Sequence, residues 1–281
     1  MIKRLSIIAI ALLLTGVIGS ILTIDTQMKS AEILEEKVIE TTDFSNIDIY
    51  SNNIAITIVP SEVKKAKVEL FSNNVNYELS AEVEGDTLKI TALMNRYKLF
   101  TFDIFPQEQS LTVFIPKETY ENIQVKSNNG RLSIEELKGN KIQFETNNGS
   151  INVNNVNGEN VVLETDNGSI KAKGIHANLV HANTRNGSIK LEQIEAEIVG
   201  ESNNGRISLK TEQLDQSMEL RTNNGRIEIR SESKPENAMF DLKTHNGSVK
   251  VFGEKNWETV VGDGEIKIKA ASQNGSISIS H

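Results

Sequence analysis

Few residues of this chain are of the types that chemistry needs, and their spacing limits what they could do. Four histidines stand at His176, His181, His245 and His281. The first two lie five apart across an expected corner, which could bring two imidazoles together on one surface. A zinc site needs three or four ligands at defined spacing, and no third ligand accompanies this pair, so no metal is assigned.

Asp166, Asp215, Asp241 and Asp263 supply carboxylates of the kind a polysaccharide hydrolase or lyase uses in facing pairs. None forms a spaced pair that repeats, and acidic residues on solvated strand faces account for them, so no catalytic residue is assigned and no cofactor is expected. The chain has no cysteine, which excludes disulfides, thiolate nucleophiles, cysteine-zinc and iron–sulfur sites.

One binding constellation remains. Arg131, Arg206 and Arg226 each follow a turn glycine directly, where serine stands at 150, 169, 188, 248 and 276. Successive turn amides can form concave anion-binding nests, so these arginines are candidates for contact with anionic envelope polymer.

The elements that would position all these groups are set by nine turns: Asn129-Gly130, Asn148-Gly149, Asn167-Gly168, Asn186-Gly187, Asn204-Gly205, Asn224-Gly225, Asn246-Gly247, Asp263-Gly264 and Asn274-Gly275. The glycines follow one another at intervals of 19, 19, 19, 18, 20 and 22 residues, and then 17 and 11. Apolar residues come two and four places after each glycine, as in Ile151 and Val153 or Ile227 and Ile229. A period of two over four residues is a strand with one buried face.

Each repeat reads as strand, turn, strand and Asn-Gly turn. In the second coil these are Ile151 to Val153, a turn at Val156-Asn157-Gly158, Val161 to Leu163, and the turn closed by Asn167-Gly168. One coil cannot bury both of its apolar faces alone. Two architectures fit: an antiparallel meander with Asn-Gly hairpins, or a β-solenoid in which each strand pairs in parallel with its equivalent one coil on, spaced by about 4.8 Å.

Three residues before the glycine stands Ser127, Thr146, Thr165, Thr184, Ser202, Thr222, Thr244 or Ser272, with Val261 the exception. A hairpin tolerates varied turns, whereas a stacked ladder demands the same residue at the same place. The uniformity therefore favours the solenoid, with the hydroxyls bonding turn backbone and the glycines accepting positive φ. The calcium-binding nonapeptide repeat, with its aspartate and several glycines, is absent.

Charge and composition narrow the partners. The 281 residues carry 30 Lys and Arg against 38 Asp and Glu, a formal charge of -8, and neither half shows the basic patch of a nucleic-acid binder. Lys3 and Arg4 precede an uncharged run, Leu5 to Ile24, which Asp25 closes. About 20 apolar residues suffice to span a bilayer, and the positive flank places residues 1–4 in the cytoplasm and the remainder outside. A cleaved signal peptide is the rival reading, with Gly19-Ser20 supplying small residues.

The expected organisation is a cytoplasmic tail over 1–4, a transmembrane anchor over 5–24, a stalk over 25–41 that could extend the anchor as a short helix, an N-terminal β module over 42–120, and the repetitive solenoid over 121–281. The β module would cap the end of the rod. Its aromatic concentration, including Tyr97, Phe100, Phe102 and Phe105, belongs to that cap or forms a partner surface. Trp257, Val260 and Val261 look like a second cap, and the insertion 231–237 should bulge from one corner.

The anchor, the Ile54-Ala55-Ile56-Thr57-Ile58-Val59-Pro60 run, the Gly85-Asp86-Thr87-Leu88-Lys89-Ile90 segment, the Leu111-Thr112-Val113-Phe114-Ile115-Pro116 strand and the Asn-Gly-Ser-Ile turns occur here in an order that resembles the bacterial "putative adhesin" family of envelope β-repeat proteins, which includes LiaG-like membrane proteins. The resemblance covers roughly 42–280. It implies an extracytoplasmic location, a β-solenoid-like fold and no catalytic residue set. Relatives often carry Gly-Ser or Ser-Gly at the turn, which makes a shared turn ligand a weaker expectation.

The sequence thus predicts an all-β protein, a β-solenoid of parallel coils with about 19 residues per coil, carrying an N-terminal β cap and an N-terminal transmembrane helix. It would act as a non-catalytic scaffold, adhesin or envelope-stress accessory at the cell membrane. Envelope proteins or anionic wall polymer are the expected partners. A carbohydrate-active enzyme or polymer-binding protein on the same fold is the alternative, and self-association through an uncovered terminal coil is a further one.

Overall fold

The computed structural model describes residues 33–72, 77–94, 109–255 and 259–281. The anchor at 5–24, residues 1–4, the aromatic concentration at 97–105 and Trp257 lie outside the described residues. No helix among the described residues is long and apolar enough to cross a membrane.

Alternating apolar and polar residues make strands along the whole described chain. Before the first Asn-Gly turn these are β1 (Ile33–Val38), β2 (Asn46–Ser51), β3 (Ala55–Ser61), β4 (Lys67–Phe71), β5 (Tyr77–Glu84), β6 (Thr87–Met94), β7 (Ser110–Pro116) and β8 (Tyr120–Ser127). The central coils contribute β9 (Leu132–Glu135), β10 (Lys138–Thr146), β11 (Ile151–Thr165), β12 (Ile170–Thr184) and β13 (Ile189–Ser202). The far end holds β14 (Ile207–Thr211), β15 (Met218–Thr222), β16 (Ile227–Ser231), β17 (Ala238–Thr244), β18 (Val249–Val251), β19 (Val260–Val261), β20 (Ile266–Ser272) and β21 (Ile277–Ser280).

Two stacked ladders run the length of the rod. One has the order β5-β6-β2-β8-β10-β11-β12-β13-β15-β20-β17-β19. The other has the order β1-β4-β7-β3-β9-β11-β12-β13-β14-β16-β21-β18. Strands β11, β12 and β13 bend through both, so the ladders are two sides of one coil. Every pairing from β6 to β17 in the first ladder and from β7 to β18 in the second is parallel, which is the solenoid and not the meander.

The boundary expected near residue 120 is not a break in the stack. Strand β2 pairs with β8 in register, Ile47 to Ile123 and Ser51 to Ser127, and β3 pairs likewise with β9. Residues 46–61 are therefore a coil of the rod itself. The stretch 33–38, expected as stalk or helix, is also strand: β1 pairs antiparallel with β4, from Ile33 opposite Phe71 to Val38 opposite Lys67. An edge strand beside Val68 and Leu70, both fully buried, outcompetes the weak helical pattern there.

Both ends depart from chain order. At one end β2 and β3 lie between β6 and β7 outside and β8 and β9 inside. At the other, β20 and β21 lie between β15 and β16 inside and β17 and β18 outside. The insertion 231–237 bridges that step of two rungs. The coil after it is the outermost, and the chain then returns to fill the place it skipped.

The interior is a column-by-column fit. One column runs Val125, Phe144, Leu163, Ala182, Gly200, Leu220, Ala270 and Leu242. Its widest residue, Phe144, and its narrowest, Gly200, are offset along the rod, and a Cβ on Gly200 would lie 2.8 Å from Leu220 Cδ2. Leu220 thus occupies the space that the missing side chain leaves. Full burial of each such Leu, Ile or Phe stabilises the coil by about 1.5–3 kcal/mol.

Candidate functional site

The most regular polar feature is the Asn-Gly corner, where the first ladder turns into the second. In each rung the asparagine Nδ2 donates to the Oδ1 of the asparagine one rung before it. The series runs from Asn148 on Asn129 through Asn167, Asn186, Asn204, Asn224 and Asn274 to Asn246, at 2.6–2.8 Å. Asn129 in turn donates to Asn53, so Ser51-Asn52-Asn53 is a further rung. Its signal was the same Ser-Asn-Asn that recurs at 127–129.

The buried hydroxyl row makes a second ladder. Thr146, Thr165, Thr184, Ser202, Thr222, Ser272 and Thr244 each donate to the glycine carbonyl of the preceding rung, at 2.7–3.2 Å. Ser127 Oγ instead accepts from Gly130 N at 2.9 Å. Ser51 Oγ, in the rung nearest the N-terminal strands, is buried without a partner.

Glycine is required at this corner for a reason other than the expected one. None of the ladder glycines lies in the left-handed region. A Cβ on any of them would come closer than 3.0 Å to the backbone carbonyl of the adjacent rung. Stacking, not positive φ, excludes a side chain. Asp263-Gly264 does have positive φ, 72°, and it is not a rung: it joins β19 to β20 as an ordinary turn. This explains why the intervals 17 and 11 break the period and why Val261 stands where a hydroxyl was expected.

The left-handed corner lies on the opposite side of the coil and was missed. Glu136, Asn155, Gly174 and Gln193, at a spacing of 19, have φ of 53°, 53°, 65° and 53°. The bend in the second coil is thus at Asn155, and the stretch Val156-Asn157-Gly158 continues as strand, with Asn157 opposite both Lys138 and His176. Val156 is buried, which holds it to the core and leaves its neighbour to turn. The legible signal was the apolar residue after each bend: Leu137, Val156, Ile175 and Ile194.

The three arginines do not form one cluster. Arg206 and Arg226 are adjacent in the stack and converge on Glu228, at 4.0 and 3.2 Å. Arg131 lies beyond the coils of Ser150, Ser169 and Ser188, about 19 Å from Arg206 at the usual strand spacing. The carboxylates also disperse: Asp166 pairs with Arg185 at 3.4 Å, Asp241 with Lys243 at 2.9 Å, and Asp215 and Asp263 are exposed. His176 Nδ1 meets Glu195 at 2.8 Å, while His181 Nε2 is buried without a partner. His281 packs on Phe252 at 5.6 Å, and His245 is exposed at the outermost rung. Among the described residues no three His, Asp or Glu side chains come together as metal ligands.

One partly apolar cleft of about 340 Å³ lies beside the left-handed corner, lined in part by Pro60, Pro116, Tyr120, Leu137 and Lys117. A hydrogen bond from Lys117 to Glu62, with Glu136 nearby, raises the ammonium pKa. Burial raises that of the Tyr120 phenol, which donates to the Pro116 carbonyl at 2.9 Å. Lys117 is thus paired with Glu62 and Glu136 and Tyr120 with backbone, while Glu118 and Lys138 of the same wall make no ion pair among the described residues.

Comparison with known proteins finds a family model, Toastrack DUF4097, that matches residues 44–280. No curated protein matches. Among solved structures the chain is similar to a protein from Parabacteroides distasonis described as a "putative lipid binding protein", at 17% identity over 88% of this chain and 96% of that one, with a TM-score of 0.48. It is similar also to a "putative adhesin" from Bacteroides fragilis, at 12% identity over 89% and 98%, TM-score 0.43. A third is a "putative cell adhesion protein" from Clostridium sporogenes, at 11% identity over 89% and 99%, TM-score 0.37.

Proposed function

The chain belongs to the Toastrack DUF4097 family, and from that premise we propose that it is a membrane-anchored extracytoplasmic β-rod that works by presenting surface. Its role is that of a scaffold, adhesin-like or envelope-stress accessory protein rather than of a catalyst. The observation that carries this reading is the closure of the repeat upon itself. The groups repeated in every coil, asparagine amide, hydroxyl and glycine carbonyl, bond one another from rung to rung. What the rod offers outward is therefore the varied side chains of its sheet faces, as a protein-binding surface would.

Leu5 to Ile24 supplies the anchor and Lys3 and Arg4 its orientation. Envelope protein is favoured over anionic polymer as the partner, because Arg206 and Arg226 share the Glu228 carboxylate, which leaves that pair a single net positive charge. The test is alkaline carbonate extraction of membranes combined with protease treatment of intact protoplasts. Retention in the membrane pellet together with digestion of the rod from outside is expected. Release into the soluble fraction, or protection of the rod until the cells are lysed, refutes the reading.

A further inference from the structure

The asparagine ladder has a direction, and so its two ends are unlike. Each inner Asn-Gly rung is held from both sides: its amide donates inward, its Oδ1 accepts from the next rung, and its glycine carbonyl accepts a hydroxyl from the next rung. At Asn246-Gly247, on the outermost coil, only the first bond exists. Asn246 Nδ2 donates to Asn274 Oδ1 at 2.8 Å, but among the described residues nothing donates to Asn246 Oδ1 or to the Gly247 carbonyl. Gly247 is also exposed, whereas the glycines of the other seven Asn-Gly rungs are buried or half-buried.

Asn-Gly is the dipeptide in which the following amide nitrogen most readily attacks the side-chain carboxamide, because glycine offers no steric barrier. The reaction needs backbone and carboxamide to rotate together, and a group bonded on both sides cannot do so without opening locally. We propose that Asn246 is a modification site, the position at which this protein undergoes spontaneous deamidation, and that the ladder shields the inner rungs from it.

In the first step the Gly247 nitrogen bonds to Asn246 Cγ, the Cγ–Nδ2 bond breaks, and the glycine amide proton leaves with the nitrogen as ammonia. Water then adds to one carbonyl of the resulting succinimide and a C–N bond opens, giving aspartate or, through the main-chain carbonyl, isoaspartate. Either product replaces the amide that donates to Asn274 by an anionic acceptor, and isoaspartate also adds a methylene to the main chain between β17 and β18. The outermost coil is loosened while the inner stack keeps its bonds. The rod thus carries an age mark at one end.

The experiment incubates the full-length chain at mildly alkaline pH in H₂¹⁸O and follows label by peptide mapping with isoaspartate detection. Label at Asn246 should accumulate at least about tenfold faster than at Asn129, Asn148, Asn167, Asn186, Asn204, Asn224 or Asn274, the ratio expected for rungs that must break two further hydrogen bonds to react. Asn157-Gly158, fixed between β10 and β12, should be as slow as the inner rungs. In denaturant all nine Asn-Gly pairs should react at similar rates, which separates the effect of the fold from that of local sequence. Equal rates in the folded protein, or a faster inner rung or Asn157, overturn the proposal, as does an Asn246 preference that persists in denaturant.

Discussion

Each coil turns at two corners, and they solve the same problem in opposite ways. At the Asn-Gly corner the side chains are nearly invariant and the backbone avoids the left-handed region. At the opposite corner of the four central coils the backbone is nearly invariant, φ between 53° and 65°, and the side chains are Glu136, Asn155, Gly174 and Gln193. Sequence uniformity along a solenoid therefore records side chains that must touch their equivalents, not turns as such. A backbone held by flanking buried residues, such as Val156 and Ile175, turns with whatever residue is present, at a cost of roughly 1–2 kcal/mol when that residue has a Cβ.

The contrast breaks most sharply at glycine. Gly168→Ala would push a Cβ into the Gly149 carbonyl, which belongs to the backbone of the adjacent rung and cannot yield without separating coils. A loss of about 3 kcal/mol or more is expected. Gly174→Ala meets mainly the Asn155 Oδ1, at 2.6 Å, the end of a movable side chain, so the loss comes chiefly from the strain of a Cβ at positive φ, about 1–2 kcal/mol. Chemical denaturation of the two variants decides between these, and a Gly174→Ala loss equal to or larger than that of Gly168→Ala would reverse the assignment of roles.

That difference also explains what could be read from the sequence. The Asn-Gly corner was legible because Asn and Ser or Thr recur in it, and parallel stacking followed from their recurrence. The left-handed corner was not legible, since four residue types share one conformation. Asp263-Gly264 misled because an aspartate-glycine turn and an asparagine-glycine rung look alike until pairing partners are known. The interleaved ends were hidden for a related reason: Ile268 stacks on Met218 across 50 positions, and no local pattern announces a strand that returns to a skipped place. Of the candidate site, the sequence places the three arginines directly after turn glycines, but their separation by three serine coils makes them a pair and a single charge, not a patch.

The hydroxyl row gives a smaller and more specific test of the invariant corner. Thr165→Val keeps the shape but removes the bond to the Gly149 carbonyl, 2.9 Å, and should destabilise by about 1–2 kcal/mol. Thr165→Ser, the residue type already present at Ser202 and Ser272, keeps the hydroxyl and should cost less than half as much. If the two variants prove equally stable, the row serves packing alone and the second ladder has no energetic standing.

The smallest effect has the opposite sign, and it concerns the other corner. Gln193 holds φ 53°, a conformation that penalises a Cβ by about 1–2 kcal/mol, whereas glycine adopts it freely but loses about 0.5–1 kcal/mol more backbone entropy on folding. The difference favours Gln193→Gly by a few tenths to about 1 kcal/mol, so the variant should be slightly more stable than the parent in the same denaturation assay. Gly174 already stands one rung away at the equivalent place, which shows that the corner accepts the residue. A clear loss of stability would mean that the Gln193 side chain contributes contacts of its own, and that this corner, like the first, is held by side chains and not by the buried residues that follow it.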